Sequence, residues 1–340
     1  MPHAKVRPII YAYLLLFFSL NCQNNTWGKF WDVNGSTIAV DPLAACKAAV
    51  AGDALAMICV PANTTGFSRG GGAPLVGATP IHTVASITGF AIGKYEIQKG
   101  EWSTVLTWAN INGYSNLSTG TGSTNQHPIG TLNWRDTIVW CNAASERNGL
   151  TPVYYDDAAF TIVRKDANNG AIDFTPGGRD NPYVKWGANG YRLATEAEWE
   201  YAARYIDGTT FLRGDAPTGW IDSNSNGLVD AAEYDFSVVV TGGAIAAVGT
   251  RAANVLGIHD MNGNMGEWVW DAYFSGYGAG GSPHTDADSQ GPAYAGGNRA
   301  LRGHAFGDGS STYVASAGRG AQSSPSAAGA ERGLRVVRRP

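Results

Sequence analysis

The chain opens with Lys5 and Arg7, continues into an unbroken apolar run from Pro8 to Leu20, and has no acidic residue before Asp32. A basic head followed by an apolar run too short to span a bilayer comfortably predicts a secretory signal over residues 1–21. Beyond it, residues 22 to 56 show no strong periodicity and read as an anchor and tether. From Ile58 aromatic residues recur to the C-terminus, which predicts one folded domain over 57–340. Three helices stand out within it. Between Glu96 and Asn110, the residues Trp102, Val105, Leu106 and Ala109 fall at helical spacing and mark one buried face. Between Asn133 and Asn148, Trp134, Ile138 and Cys141 share a face, with Asn133 placed to cap the start and Asn148-Gly149 to end the helix in a left-handed turn. Thr195-Glu-Ala-Glu198 is a capping box, in which each side chain takes up a backbone N–H of the first turn, ahead of Trp199 and Tyr201.

Composition adds that much of the chain between these helices is loop. Of 340 residues 45 are Gly and only 15% are charged, while 44% are hydrophobic, enough for a sizeable core. Loss of Lys5 and Arg7 with the signal takes the net charge from -4 to -6, so no general basic surface is left for nucleic acid. The signal ends in Ser19-Leu20-Asn21-Cys22, which resembles a bacterial lipobox. That resemblance implies that Cys22 is acylated and becomes the first residue of a membrane-anchored protein, although Asn21 is unusual there and an ordinary cleaved signal stays open. Gln23 in place of aspartate points to the outer membrane or cell surface. Cys46, Cys59 and Cys141 remain, and an oxidising compartment allows a Cys46–Cys59 bridge with Cys141 a small buried residue.

Residues 222–233 match the twelve-residue calcium loop. Side-chain oxygens stand at Asp222, Asn224, Asn226, Asp230 and Glu233, a backbone carbonyl at Leu228, and a glycine at the sharp turn, Gly227. Two neutral amides in place of carboxylates predict weak binding of Ca2+. The bland alternative is a surface turn rich in Asn and Gly.

The segment Gly190 to Arg204, GYRLATEAEWEYAAR, resembles the most recognisable stretch of the formylglycine-generating-enzyme, or sulfatase-modifying-factor, family. Matching segments stand in family order at 59–71, 90–102, 127–145, 254–273, 299–303 and 333–338. The resemblance implies an α+β fold of C-type-lectin type, loop-rich and sparse in regular structure. It also implies a second calcium site, carried over to Asp260, Gly263, Met265 and Glu267. A buried Glu267 needs a partner, since an isolated buried carboxylate is costly. Calcium, Arg302 or Arg335 could each supply it.

The family's copper-dependent enzymes hold the metal with two cysteines near the C-terminus, as a soft Cu(I) ion requires. Here the last cysteine is Cys141, and 302–333 contains none. The iron-dependent branch uses an HxxxH pair, whereas His3, His82, His127, His259, His284 and His304 are all further apart. There is no GxSxG elbow and no HExxH. These departures predict a non-catalytic member. The C-terminal segment 299–340, which forms the substrate groove in the enzymes, then reads as an adaptable binding surface for a protein or glycan. His304, Phe306, Asp308, Ser310, Ser311, Thr312 and Tyr313 would contribute from its first part. Ser316, Arg319, Gln322, Ser323, Ser324 and Ser326 would contribute from its second. The segment also resembles the variable region of proteins diversified by retroelements. A metal-dependent oxidoreductase and a structural envelope component are the competing expectations, and the oligomeric state stays open.

Overall fold

A computed structural model describes residues 30–31, 37–38, 41–70, 82–220, 225, 244–273, 297–306, 315–318 and 321–340. The chain divides into two units, Met1–Asp41 and Pro42–Pro340. In the first, β1 (Phe30–Trp31) and β2 (Thr37–Ile38) pair antiparallel. Cys22 lies outside the described residues, and no helix among them is long and apolar enough to cross a membrane.

The second unit begins at Pro42, earlier than the boundary expected near residue 56. Its first element, α1 (Ala44–Val50), has the sequence AACKAAV, too short and too poor in large apolar residues to show a periodic stripe. Two links hold it. Cys46 forms a disulfide with Cys59 of β3 (Met57–Val60), with Cα atoms 6.0 Å apart. Arg338 donates to the Ala49 carbonyl at 2.6 Å and to Asp53 at 2.8 Å.

Next, β4 (Phe67–Arg69) and β5 (His82–Val84) pair antiparallel. β6 (Phe90–Gly93) then pairs with β3. The two long helices are α2 (Lys99–Ile111) and α3 (Trp134–Arg147). Trp102 stacks on Trp140 between them, with ring planes 3° from parallel, so the stripe seen in the sequence is the helix contact. The first helix starts three residues later than its pattern suggests. Glu96 and Ile97 are held outside the helix instead: Ile97 donates to the Leu334 carbonyl and accepts from Ile129, and Gln98, in extended backbone, caps the helix. Asn133 caps α3, and Gly149 ends it with φ +69.

The short pair β7 (Tyr154–Tyr155) and β8 (Tyr183–Val184) precedes β9 (Arg192–Leu193) and α4 (Glu196–Arg204). The capping box at Thr195 forms as the sequence requires, with Thr195 Oγ1 accepting from Glu198 N at 3.1 Å and Glu198 Oε2 from Thr195 N at 3.0 Å. The remaining strands are β10 (Gly266–Ala272), β11 (Arg299–Arg302), β12 (Ala321–Ser323), β13 (Arg332–Leu334) and β14 (Val336–Arg338). They complete two four-stranded sheets, β3-β6-β14-β9 and β12-β11-β10-β13. Only β10 and β13 run parallel; the other pairings are antiparallel. This is an α+β fold of short strands and loops. The last strand, β14, is central in its sheet, and its Val336 and Val337 are fully buried.

Candidate functional site

The loop leading into β10 is built from backbone turns that side chains hold. Asn254 Oδ1 accepts from the N–H groups of Leu256 and Ile258, while its amide donates to the Ala202 carbonyl of α4. Beyond it the chain enters the left-handed region at Asp260 (φ +57), Gly263 (φ +83) and Asn264 (φ +57). Non-glycine residues rarely adopt that conformation, and such residues cluster where a site is being shaped. Glu96 stabilises the turn by accepting from Met265 N at 2.8 Å and from Asn264 Nδ2 at 2.7 Å. Asp260 accepts from Gly249 N at 2.6 Å.

Glu267, on β10, finds its partner in Arg335, whose Nε lies at 2.9 Å and Nη2 at 2.8 Å; Trp199 Nε1 donates to the other oxygen at 2.6 Å. Arg335, one of the partners considered, is therefore in direct contact with Glu267. Burial pushes the Glu267 carboxyl up, and the arginine only partly offsets this. Glu96 is raised well above the usual range, first by burial and then by Asp260 and Glu267, with Arg335 opposing. Glu96 thus lies within electrostatic range of Asp260, Glu267 and Arg335, and Arg335 pairs directly with Glu267. The oxygens that the family resemblance assigns to calcium are the Asp260 and Glu267 side chains and the carbonyls of Gly263 and Met265, a mixed set of the kind Ca2+ accepts, although both Glu267 oxygens are already engaged by Arg335 and Trp199. Side chains alone would not suffice, since no cluster of three or more acidic, His or Cys side chains positioned for a metal occurs among the described residues. The loop at Asp222, Asn224, Asn226, Leu228, Asp230 and Glu233 lies outside the described residues.

α4 carries a buried ion network. Arg69 reaches Glu196 at 2.8 Å, Arg302 reaches Glu200 at 2.9 Å, and Arg204 reaches Glu200 at 2.7 Å. Burial alone would push the Glu200 carboxyl up, but Arg302, Arg204 and Arg69 together hold it below the usual range. Buried charges persist only when compensated in this way.

The C-terminal segment starts from this network. Gly303 has φ +82, and a Cβ there would meet the Met261 carbonyl oxygen at 2.9 Å and the Trp199 ring at 3.2 Å, so the sharp exit from β11 requires glycine. Gly263 N donates to the Gly303 carbonyl at 2.7 Å and Phe306 N to the Asn264 carbonyl at 3.3 Å, tying the segment to the acidic loop. His304 and Ser316, expected on the surface, are both buried. Ser316 is held by Asn262 through its hydroxyl and by Arg302 through its carbonyl, and the positive φ of His304 turns the chain inward. Phe306, Ser324 and Ser326 are half-buried, and Ser323 accepts from Arg332 at 2.8 Å. Gln322 lies in β12, whereas Asp308, Ser310, Ser311, Thr312, Tyr313 and Arg319 lie outside the described residues.

Cys141 is the one unpaired cysteine among the described residues, fully buried in α3, and burial pushes its thiol far up. Sequence reasoning missed the role of Glu96, taken as the start of a helix, and the α4 network. Glu196, Glu200 and Arg204 do fall inside the segment 190–204 and Arg302 inside 299–303, but helical spacing alone assigns charged residues to a solvated face.

Residues 45–340 match the sulfatase-modifying factor enzyme 1-like domain. A relative named chaperone protein LppX, from Paenibacillus barcinonensis, is 31% identical over 192 residues, 55% of this chain and 63% of that protein. The formylglycine-generating enzyme of Mycobacterium tuberculosis is 35% identical over 151 residues, 43% of this chain and 46% of the enzyme. The chain thus spans less than two thirds of the curated relatives it matches. Treponema denticola variable protein 1 shares the fold, with a TM-score of 0.62 at 24% identity over 84% of this chain and 95% of that one. PvdO from Pseudomonas aeruginosa does so with a TM-score of 0.57 at 20% identity over 84% and 94%. With nearly its whole second unit matched, and with the family's segments forming the acidic loop, α4 and the glycine exit, this chain belongs to the sulfatase-modifying factor enzyme 1-like domain family.

Proposed function

We propose that this chain is a non-catalytic member of its family, an exported protein anchored through Cys22 at the outer membrane or cell surface. It presents the segment 304–328 to a ligand. The observation that carries this is the composition of 302–333: it holds no cysteine, so no soft-metal pair stands where the family's copper enzymes need one. Cys141 is no substitute, because a buried thiol with a raised pKa is a poor thiolate and a poor metal ligand.

The segment's two described anchor points, His304 and Ser316, support the residues around them from below and do not themselves meet the ligand. Contact falls to Phe306, to the small polar residues of 308–313, and to Arg319, Ser324 and Ser326, while Ser323 is buried like His304 and Ser316. A protein ligand is favoured over a glycan by the name of the Paenibacillus relative, a chaperone protein. A fold shared with a variable protein suits diversification of this same segment. Calcium at Asp260, Gly263, Met265 and Glu267 would serve as a structural ion, stiffening the loop that Gly303 and Phe306 bond to.

The test is a pull-down from candidate partner cells with the purified protein and with a variant whose 304–328 segment is exchanged. Capture by the first and loss in the second supports the proposal; equal capture by both overturns it in favour of a structural envelope role. The 35% identity to a formylglycine-generating enzyme keeps one second reading, a metal-dependent oxidoreductase. Stoichiometric retention of Cu(I) or Fe(II), with dioxygen-dependent oxidation of a thiol peptide seen by mass spectrometry, would establish that reading.

A further inference from the structure

A cleft of about 370 Å3 opens where α2 and α3 meet the loop after α1, remote in sequence from 304–328. Its buried lining is aliphatic, from Leu55, Val105 and Ala144. Two opposite charges also line it, Glu101 in the first turn of α2 and Arg147 in the last turn of α3. Among the described residues they form no ion pair with each other or with any third group. Glu101 accepts from Gln98 N through Oε2 alone, as part of the helix cap. Burial holds its carboxyl above the usual range, so a cation brought beside it would restore the charged form. Tyr191 lies within electrostatic range of both Glu101 and Arg147, and its buried hydroxyl has no hydrogen-bond partner among the described residues.

A buried aliphatic lining that also carries a carboxylate and a guanidinium, with Gln98, Thr104, Asn125, Gln126 and Asn148 as its other polar residues, is the complement of a small zwitterion. The volume lies at the lower end of the range typical of small-molecule sites. We infer that this cleft binds a free α-amino acid with an aliphatic side chain, its ammonium at Glu101, its carboxylate at Arg147 and its side chain against Leu55, Val105 and Ala144. The inference is independent of the proposed binding segment, since none of these residues belongs to it.

Isothermal titration calorimetry of the purified protein with leucine and with valine tests it, alongside isoamylamine and isocaproate, which each keep the leucine side chain but only one of its charges. Saturable binding of leucine or valine is expected, weakened about fivefold or more when either ligand charge is removed, as for a partly exposed ion pair. Glu101→Gln, which preserves the helix cap, and Arg147→Gln, on an exposed residue, should each weaken binding to a similar degree. No saturable heat up to about 10 mM, well beyond a millimolar Kd, would overturn the assignment. So would equal binding of the single-charge analogues, or unchanged binding by both variants. Exchange of 304–328 should leave this binding intact, so the two proposals fail separately.

Discussion

At the scale of the residue, the chain concentrates charge in its interior, and two carboxylates show opposite consequences. Glu200 is held ionised by Arg302, Arg204 and Arg69. Glu200→Ala would leave those guanidiniums without their shared counter-ion, and loss of one partner from a buried pair costs about 3–5 kcal/mol. Urea denaturation should show that loss, whereas an exposed pair such as Arg213–Asp215 should show little. Asp136 behaves the other way. Burial lifts its carboxyl from the ordinary 3.8 to about 6, against the bonds it accepts from Ser118 and Asn133. An acid that binds its proton more tightly in the fold contributes stability that is fully present below the unfolded value and is lost as pH rises through the folded one. Stability from this group should therefore decline between about pH 4 and pH 6. Asp136→Asn, which keeps an oxygen acceptor without the charge, should flatten the melting temperature over that interval.

At the scale of the element, helix starts are legible because capping is local. Asn133 and Thr195 act within three residues of themselves, so α3 and α4 begin where the sequence places them. α2 starts later than its local pattern because Glu96 serves the turn at Asn264 and Met265, a contact 168 residues away in the chain that no local pattern encodes. The element α1 was invisible for a different reason: its attachment is covalent and electrostatic, through Cys59 and Arg338, and owes little to a hydrophobic stripe. Closing a loop across a sequence separation of 13 is worth roughly 3 kcal/mol. Replacing Cys46 and Cys59 together by Ser should lower stability by about that amount, and hydrogen exchange should rise first in residues 44–50.

At the scale of the whole molecule, the acidic loop, α4 and the last strands form one assembly, since Glu267 joins Trp199 of α4 to Arg335 near the C-terminus. A cation bound at Asp260 and Glu267 would stabilise all of it by linkage. Calcium at a hundred times its dissociation constant should add about 2.7 kcal/mol, read as a higher melting temperature that a chelator reverses. Asp260→Ala should abolish the calcium response while the protein still folds. The sequence by itself determined the family, the α+β class, the capped helices and the lack of a terminal cysteine pair, because these rest on residue identity or on interactions within a single turn. Tertiary structure alone decided that Arg335 partners Glu267, that His304 and Ser316 face inward, and that Glu101 and Arg147 share a cleft. Each of those depends on segments brought together from far apart in the chain, where burial and neighbouring charge, and not residue type, assign the role.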